Sequence, residues 1–182
     1  MKIFFLIMMV VSAFGARAMT VDSINFEDHV NVAGKDLVIN GVGIRKATFL
    51  KIKVYYGALY LTQKSSNAGA FLGTAEPKQI VMHFVRDVDA KDLKKTYKEA
   101  FEGANTETWK TMLPTFEAFN SNFTDIKKGE VMTFTFLSDG VILTSAGKSF
   151  PKMGDSNFAK AILNMWFVNP LDSGLTKGLL GQ

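Results

Sequence analysis

The sequence predicts an α+β fold: a large, mostly antiparallel β-sheet with helices packed on one face. Three observations carry this. β-forming runs crowd the first half, at residues 24–32, 37–40, 49–62 and 78–86. Apolar residues then recur with a 3.6-residue period in mid-chain and again near the C-terminus. Between those helical stretches, two β-rich runs are joined by Asp139-Gly140, a strong local hairpin signal. Strands grouped together, rather than alternating one by one with helices, point to an antiparallel sheet with segregated helices.

Each element has its own signature. Ile24 to Val32 alternates loosely, Ala33 to Asp36 is a turn, and Leu37 to Asn40 restarts an extended run. Phe49 to Thr62 is a long strand. Lys51 and Lys53 alternate with Ile52 and Val54, so one face is wet there, whereas the second half loses its polar alternates and is covered on both faces. Gly57 in its middle marks a bulge or a close approach. Lys78 to Arg86 is a further strand. Asp89 to Ala104 reads as a helix capped by Asp89, with Leu93, Tyr97, Ala100 and Phe101 on its apolar face. Glu107 to Phe119 reads as another, which Pro114 must kink or restart. Val131 to Leu137 and Val141 to Ser145 form the hairpin. Asp155 caps a helix with the stripe Phe158, Ala161, Ile162, Met165 and Trp166, ended by Asn169-Pro170. A short helix from about Leu171 to Leu180 closes the chain.

The N-terminus reads as an export leader. Lys2 is followed by the apolar run Ile3 to Phe14, then Gly15 and the small-residue pattern Ala16-Arg17-Ala18. The run is short of the roughly 20 residues that span a bilayer. The expectation is a cleavable signal peptide over 1–18, one domain over 19–182, a periplasmic or secreted location, and no stable membrane span in the mature form. There are no cysteines, which excludes disulfides, thiolate metal sites, a cysteine nucleophile and a lipoprotein anchor. The formal charge of +4 falls to +2 without Lys2 and Arg17. The lysines are scattered without a basic stripe, so nucleic acid is not an expected partner.

No cofactor or metal is called for. Gly41-Val-Gly-Ile-Arg45 lacks the third glycine of a dinucleotide loop and runs into a strand. Gly147-Lys148-Ser149 lacks the upstream glycine of a phosphate loop. His29 and His83 are the only histidines, each in a strand-like run without metal-ligand spacing or a nucleophile elbow. Arg45 is the notable group. It stands between tight glycine backbone and the apolar strand that carries Tyr55, Tyr56 and Tyr60. A cation facing apolar surroundings needs an anionic partner. That partner is either an internal carboxylate or a ligand carboxylate, held with a tyrosine hydroxyl as second donor.

These stretches together resemble the chalcone isomerase-like family, in particular its exported bacterial branch. The resemblance lies in Asn40 to Arg45 with KIKVYYGALYL at 51–61 and in FVRDVDAKDLKKTYKEAFEGAN at 84–105. It continues through Asp125 to Glu130 with the hairpin after it, FAKAILNMWFVNPLD at 158–172, and Gly178 to Gly181. It spans nearly the whole mature chain and implies a large antiparallel sheet with a ligand cleft between sheet and helices. The family includes plant flavonoid isomerases and non-catalytic fatty-acid binders, both with a cleft arginine, which Arg45 matches. The isomerases carry a threonine where Tyr55 stands, and the fatty-acid binders are expected to carry tyrosine there. The isomerases also use a tyrosine and an asparagine seven apart on the mid-chain helix. Tyr97 fits the first, but Ala104 stands in place of the second. A polar isomerase position near the late helix falls close to Asn164.

The resemblance implies a non-catalytic binder of a small apolar carboxylate such as a fatty acid, with Arg45, Tyr55, Tyr97 and Asn164 at the ligand. An intramolecular lyase or isomerase acting in the same cleft, and a structural or assembly role in the cell envelope, are the alternatives.

Overall fold

The computed structural model describes residues 18–47 and 50–182. Apart from Ala18, the expected leader lies outside these residues, as does Phe49 at the start of the expected long strand. Strands β3 (His29–Val32), β4 (Lys35–Ala47), β5 (Ile52–Leu61), β6 (Lys78–Phe84), β7 (Val131–Leu137), β8 (Gly140–Ser145) and β9 (Lys148–Ser149) form one sheet. They lie in chain order, and each pairs antiparallel with its neighbour. The period-2 patterns of β6 and β7 are realised, with Ile80, Met82 and Phe84 opposite Phe134, Met132 and the strand's entry on one buried face. Helices α1 (Gly69–Leu72), α2 (Ala90–Ala104), α3 (Trp109–Ser121), α4 (Ser156–Asn164) and α5 (Ser173–Leu179) complete the fold. Their apolar stripes meet the sheet in a core rich in stacked and edge-on aromatic rings.

From Tyr55 onward β5 is buried on both faces, as the loss of polar alternates in its second half indicates. Tyr55 and Leu59 face the helices, while Tyr56, Ala58 and Tyr60 face a second cluster with Phe26, Leu37 and Ile39. That cluster is covered by a separate hairpin, β1 (Ala18–Val21) and β2 (Ile24–Glu27). The expected run from Ile24 to Val32 is therefore two strands in two sheets. The chain turns at Asp28, whose carbonyl accepts from the Ile39 N–H at 2.9 Å.

Some local expectations are corrected. Asp89 stands at the N-cap of α2 without a side-chain bond. Instead the Ala90 N–H donates to Asp125 at 2.8 Å, so a distant residue caps the helix. α3 runs through Pro114 as one element. α4 ends at Asn164, before Asn169-Pro170, and the chain continues in i→i+3 turns. The caps at Asp155 and Asp172 are both made by side chains. No helix among the described residues is long and apolar enough to cross a membrane.

Candidate functional site

The site starts with a register. Arg45 on β4 lies directly across from Tyr55 on β5, and Tyr55 directly across from Phe84 on β6. Directly opposed residues share a face, so the three form a row on the helix side of the sheet, with the Tyr55 and Phe84 rings 5.3 Å apart. A bulge between Arg45 and Lys46 breaks the alternation there, and Val54 turns to the same side.

Helix α5 lies on β4 at backbone distance. A Cβ at Gly41 would come within 2.3 Å of the Gly178 carbonyl, and one at Gly43 within 2.3 Å of the Leu175 carbonyl. The glycine pair thus serves helix-on-strand contact. Asn40 fixes the helix C-terminus, donating to the Leu179 carbonyl at 2.8 Å. Asp172 fixes the N-terminus. Its Oδ1 accepts from the Gly174 and Leu175 N–H groups, and its Oδ2 accepts from the Lys46 N–H at 2.7 Å.

Asp172 Oδ2 also lies 3.5 Å from Arg45 Nη1, with both side chains largely buried. Arg45 therefore has an internal carboxylate partner, but a loose one whose oxygens already accept backbone bonds. Nη1 itself donates to the Lys46 carbonyl at 2.6 Å. A guanidinium has five N–H donors, so donors remain for a further acceptor.

Arg45 and Tyr55 border a cavity of about 630 Å³ between β4, β5, α2 and the segment from Met165 to Thr176. Its buried wall includes Phe84, Leu93, Tyr97, Met165, Trp166 and Leu175. Its mouth carries exposed charges, among them Arg86, Asp89, Asp92 and Lys95. Tyr97 stacks on Phe123 at 4.6 Å, and its hydroxyl lies 3.5 and 4.0 Å from the sulfurs of Met82 and Met132. Burial pushes the Tyr55 hydroxyl up to about 12, partly offset by Trp166 and by the Arg45 charge. Burial pushes Tyr97 well above the usual tyrosine value. Both hydroxyls are therefore neutral donors at physiological pH.

Arg45, Tyr55 and Tyr97 are thus brought together, and Asn164 is not. Its amide donates to Asn105 Oδ1 at 3.0 Å, and Asn105 in turn bonds the Phe101 and Ala161 carbonyls. Asn164 ends α4 facing α2, while the next two residues, Met165 and Trp166, turn into the cavity. Reading the sequence missed Asp172 and took Trp166 as core alone. The Pro170-Leu-Asp-Ser-Gly174 stretch does carry a cap signal for Asp172, but nothing local to it names Arg45. Neither histidine lines the cavity. His29 pairs with Asp36 on the surface, and His83 packs edge-on against Phe26 on the opposite face of the sheet.

A family profile described as chalcone isomerase-like matches residues 18–181. The chain belongs to the chalcone isomerase-like family. No curated protein matches it in sequence. The crystal structure of an Arabidopsis thaliana fatty-acid binding protein superposes on this chalcone isomerase-like chain with a TM-score of 0.74. The identity is 13%, with 90% of this chain and 96% of that one covered. At that identity the likeness establishes the fold.

Proposed function

We propose that this chalcone isomerase-like protein is an exported, non-catalytic binding protein for a small apolar carboxylate such as a fatty acid, acting in the periplasm or after secretion. The observation that carries the reading is the row at the cavity wall. A guanidinium with unused donors stands beside a neutral tyrosine hydroxyl, next to apolar side chains that can receive a hydrocarbon chain. Each buried methylene adds roughly 0.8 kcal/mol, and a charge-assisted hydrogen bond about 1.5–3 kcal/mol. The fold shared with a fatty-acid binding protein supports the reading. The leader pattern at 1–18 supports export. Ala104 in place of the isomerase asparagine leaves Arg45, Tyr55 and Tyr97 as a thin set of groups for stabilising an enolate, which favours binding over turnover.

Calorimetric titration with saturated fatty acids of increasing length tests this. Affinity should rise about fourfold per methylene until the cavity is full. Arg45→Gln should weaken binding by about tenfold or more, and the methyl ester of the same acid should bind no better to the wild type than the acid binds to Arg45→Gln. Equal affinity for acid and ester would remove the carboxylate anchor.

A further inference from the structure

One part of the cavity wall is held only at its ends. α2 forms one side of the cavity as far as Ala100, and Pro170, Leu171 and Asp172, in the strap between α4 and α5, form part of the other. On the α4 side the strap is pinned by the Phe167 ring, edge-on against Phe71 at 5.2 Å, and by the Trp166 carbonyl, which accepts from Thr176 Oγ1 at 2.7 Å. On the α5 side Asp172 accepts from the Lys46 N–H and caps the helix. Between these pins, the only hydrogen bond that residues 169–171 make among the described residues runs from Asn169 Nδ2 to the Gly103 carbonyl on α2, exposed and long at 3.3 Å. Asn169 itself is strained. Its φ is +46°, in the left-handed region that non-glycine residues seldom occupy, and the proline after it favours extended backbone at this position. Such strain persists only where the surroundings hold it, and it gathers at ligand clamps and switches. Val168 and Leu171, on either side, are 39% and 45% exposed, so little packing opposes a swing of the strap.

We propose that residues 168–171 form a gate over the cavity, closed by the Asn169–Gly103 bond and opened when Asn169 relaxes to extended backbone and draws Leu171 away from the mouth. The two states differ by one exposed bond on one side and the left-handed strain on the other, so they lie close in free energy and exchange readily. The proposal rests on the reading of the cavity as a site for an apolar acid, and adds the route by which that acid enters and leaves.

Trp166 reports on the gate, because it is buried in the cavity wall and Trp109→Phe leaves it the only tryptophan. The chain has no cysteine, so Gly103→Cys/Asn169→Cys carries two unique thiols, and a Cβ at Gly103 meets only Asn169, at 3.7 Å. A short, reducible thiol-to-thiol cross-linker between them locks the gate shut. The first readout is acrylamide quenching of Trp166 without ligand. Locking should remove most of it, and reduction should restore it. Asn169→Ala, which deletes the bond and disfavours the left-handed backbone, should raise it by about two- to tenfold. The second readout is stopped-flow binding of dodecanoate. Asn169→Ala should speed association and release by the same factor, with equilibrium affinity unchanged, and the lock should slow both. Equal quenching in the locked and reduced protein would overturn the proposal. So would an Asn169→Ala variant in which release alone is faster, the mark of a lost ligand contact. Quenching that follows the lock, together with no uptake of dodecanoate by the unmodified protein, would uphold the gate and count against the apolar-acid reading alone.

Discussion

Gly43→Ala perturbs the contact that brings Asp172 to Arg45. The new Cβ would stand 2.3 Å from the Leu175 carbonyl oxygen and 3.1 Å from the same residue's Cα. An ordinary carbon–oxygen approach is about 3.3 Å, so about 1 Å must be found. Both obstacles are backbone, and no side-chain rotation can supply it. Helix α5 has to lift, which also parts Gly178 from the Gly43 backbone on which it packs. Lifting the helix stretches the 2.7 Å bond from the Lys46 N–H to Asp172 and loosens the 3.5 Å contact with Arg45. Overpacking typically costs about 1–3 kcal/mol, and loss of a bond to a charged acceptor adds about 1.5–3. The expected loss in urea denaturation is about 3 kcal/mol, with weaker fatty-acid binding in parallel. Gly103→Ala is the control. Its Cβ would meet only Asn169 Nδ2, at 3.7 Å, so alanine in that helical position should be neutral or stabilising by up to about 1 kcal/mol. Equal stabilities for Gly43→Ala and the wild type would refute close packing of α5 as the purpose of the glycine pair.

Other perturbations separate anchor from scaffold. Asp172→Asn keeps an oxygen for the helix cap but removes the charge beside Arg45. Carboxylate affinity by calorimetry should tighten by on the order of tenfold, while stability falls by about 1–2 kcal/mol as the Lys46 N–H loses its acceptor. Asn164→Ala strips the donor from Asn105 and should cost about 1–2 kcal/mol in thermal denaturation, with ligand affinity unchanged. Lys78 is only 4% exposed and donates to the Thr74 and Glu76 carbonyls, and burial lowers its pKa from 10.5 to about 8. The fold therefore releases this proton before the unfolded chain does, so stability should rise as pH is taken from about 8 towards 10. That slope should flatten in Lys78→Met, measured by denaturation at each pH.

Local chemistry made much of this molecule readable. The hairpin at Asp139-Gly140, the cap at Asp155 and the double burial of β5 each depend on neighbours in sequence or on a simple period. The failures are long-range. Asp89 looks like the cap of α2, yet Asp125 makes the bond, and only the tertiary fold brings it there. Gly41 and Gly43 are conspicuous, but their reason lies at Gly178, at the far end of the chain. Asn164 illustrates the limit of matching by position. A helical residue turns about 100° from its neighbour, so standing beside Met165 and Trp166 places it against Asn105 rather than in the cavity. Arg45 was legible as a buried cation in need of an anion, and the structure supplies Asp172 without using up its donors.

Whether Arg45 holds a carboxylate ligand is best settled by native mass spectrometry of the protein purified gently from its native compartment, with Arg45→Ala in parallel. The predicted result is a co-purifying apolar acid on the wild type and none on a variant that remains folded. A wild-type protein with no bound mass, and a folded variant that takes up added fatty acid equally well, would contradict the carboxylate anchor.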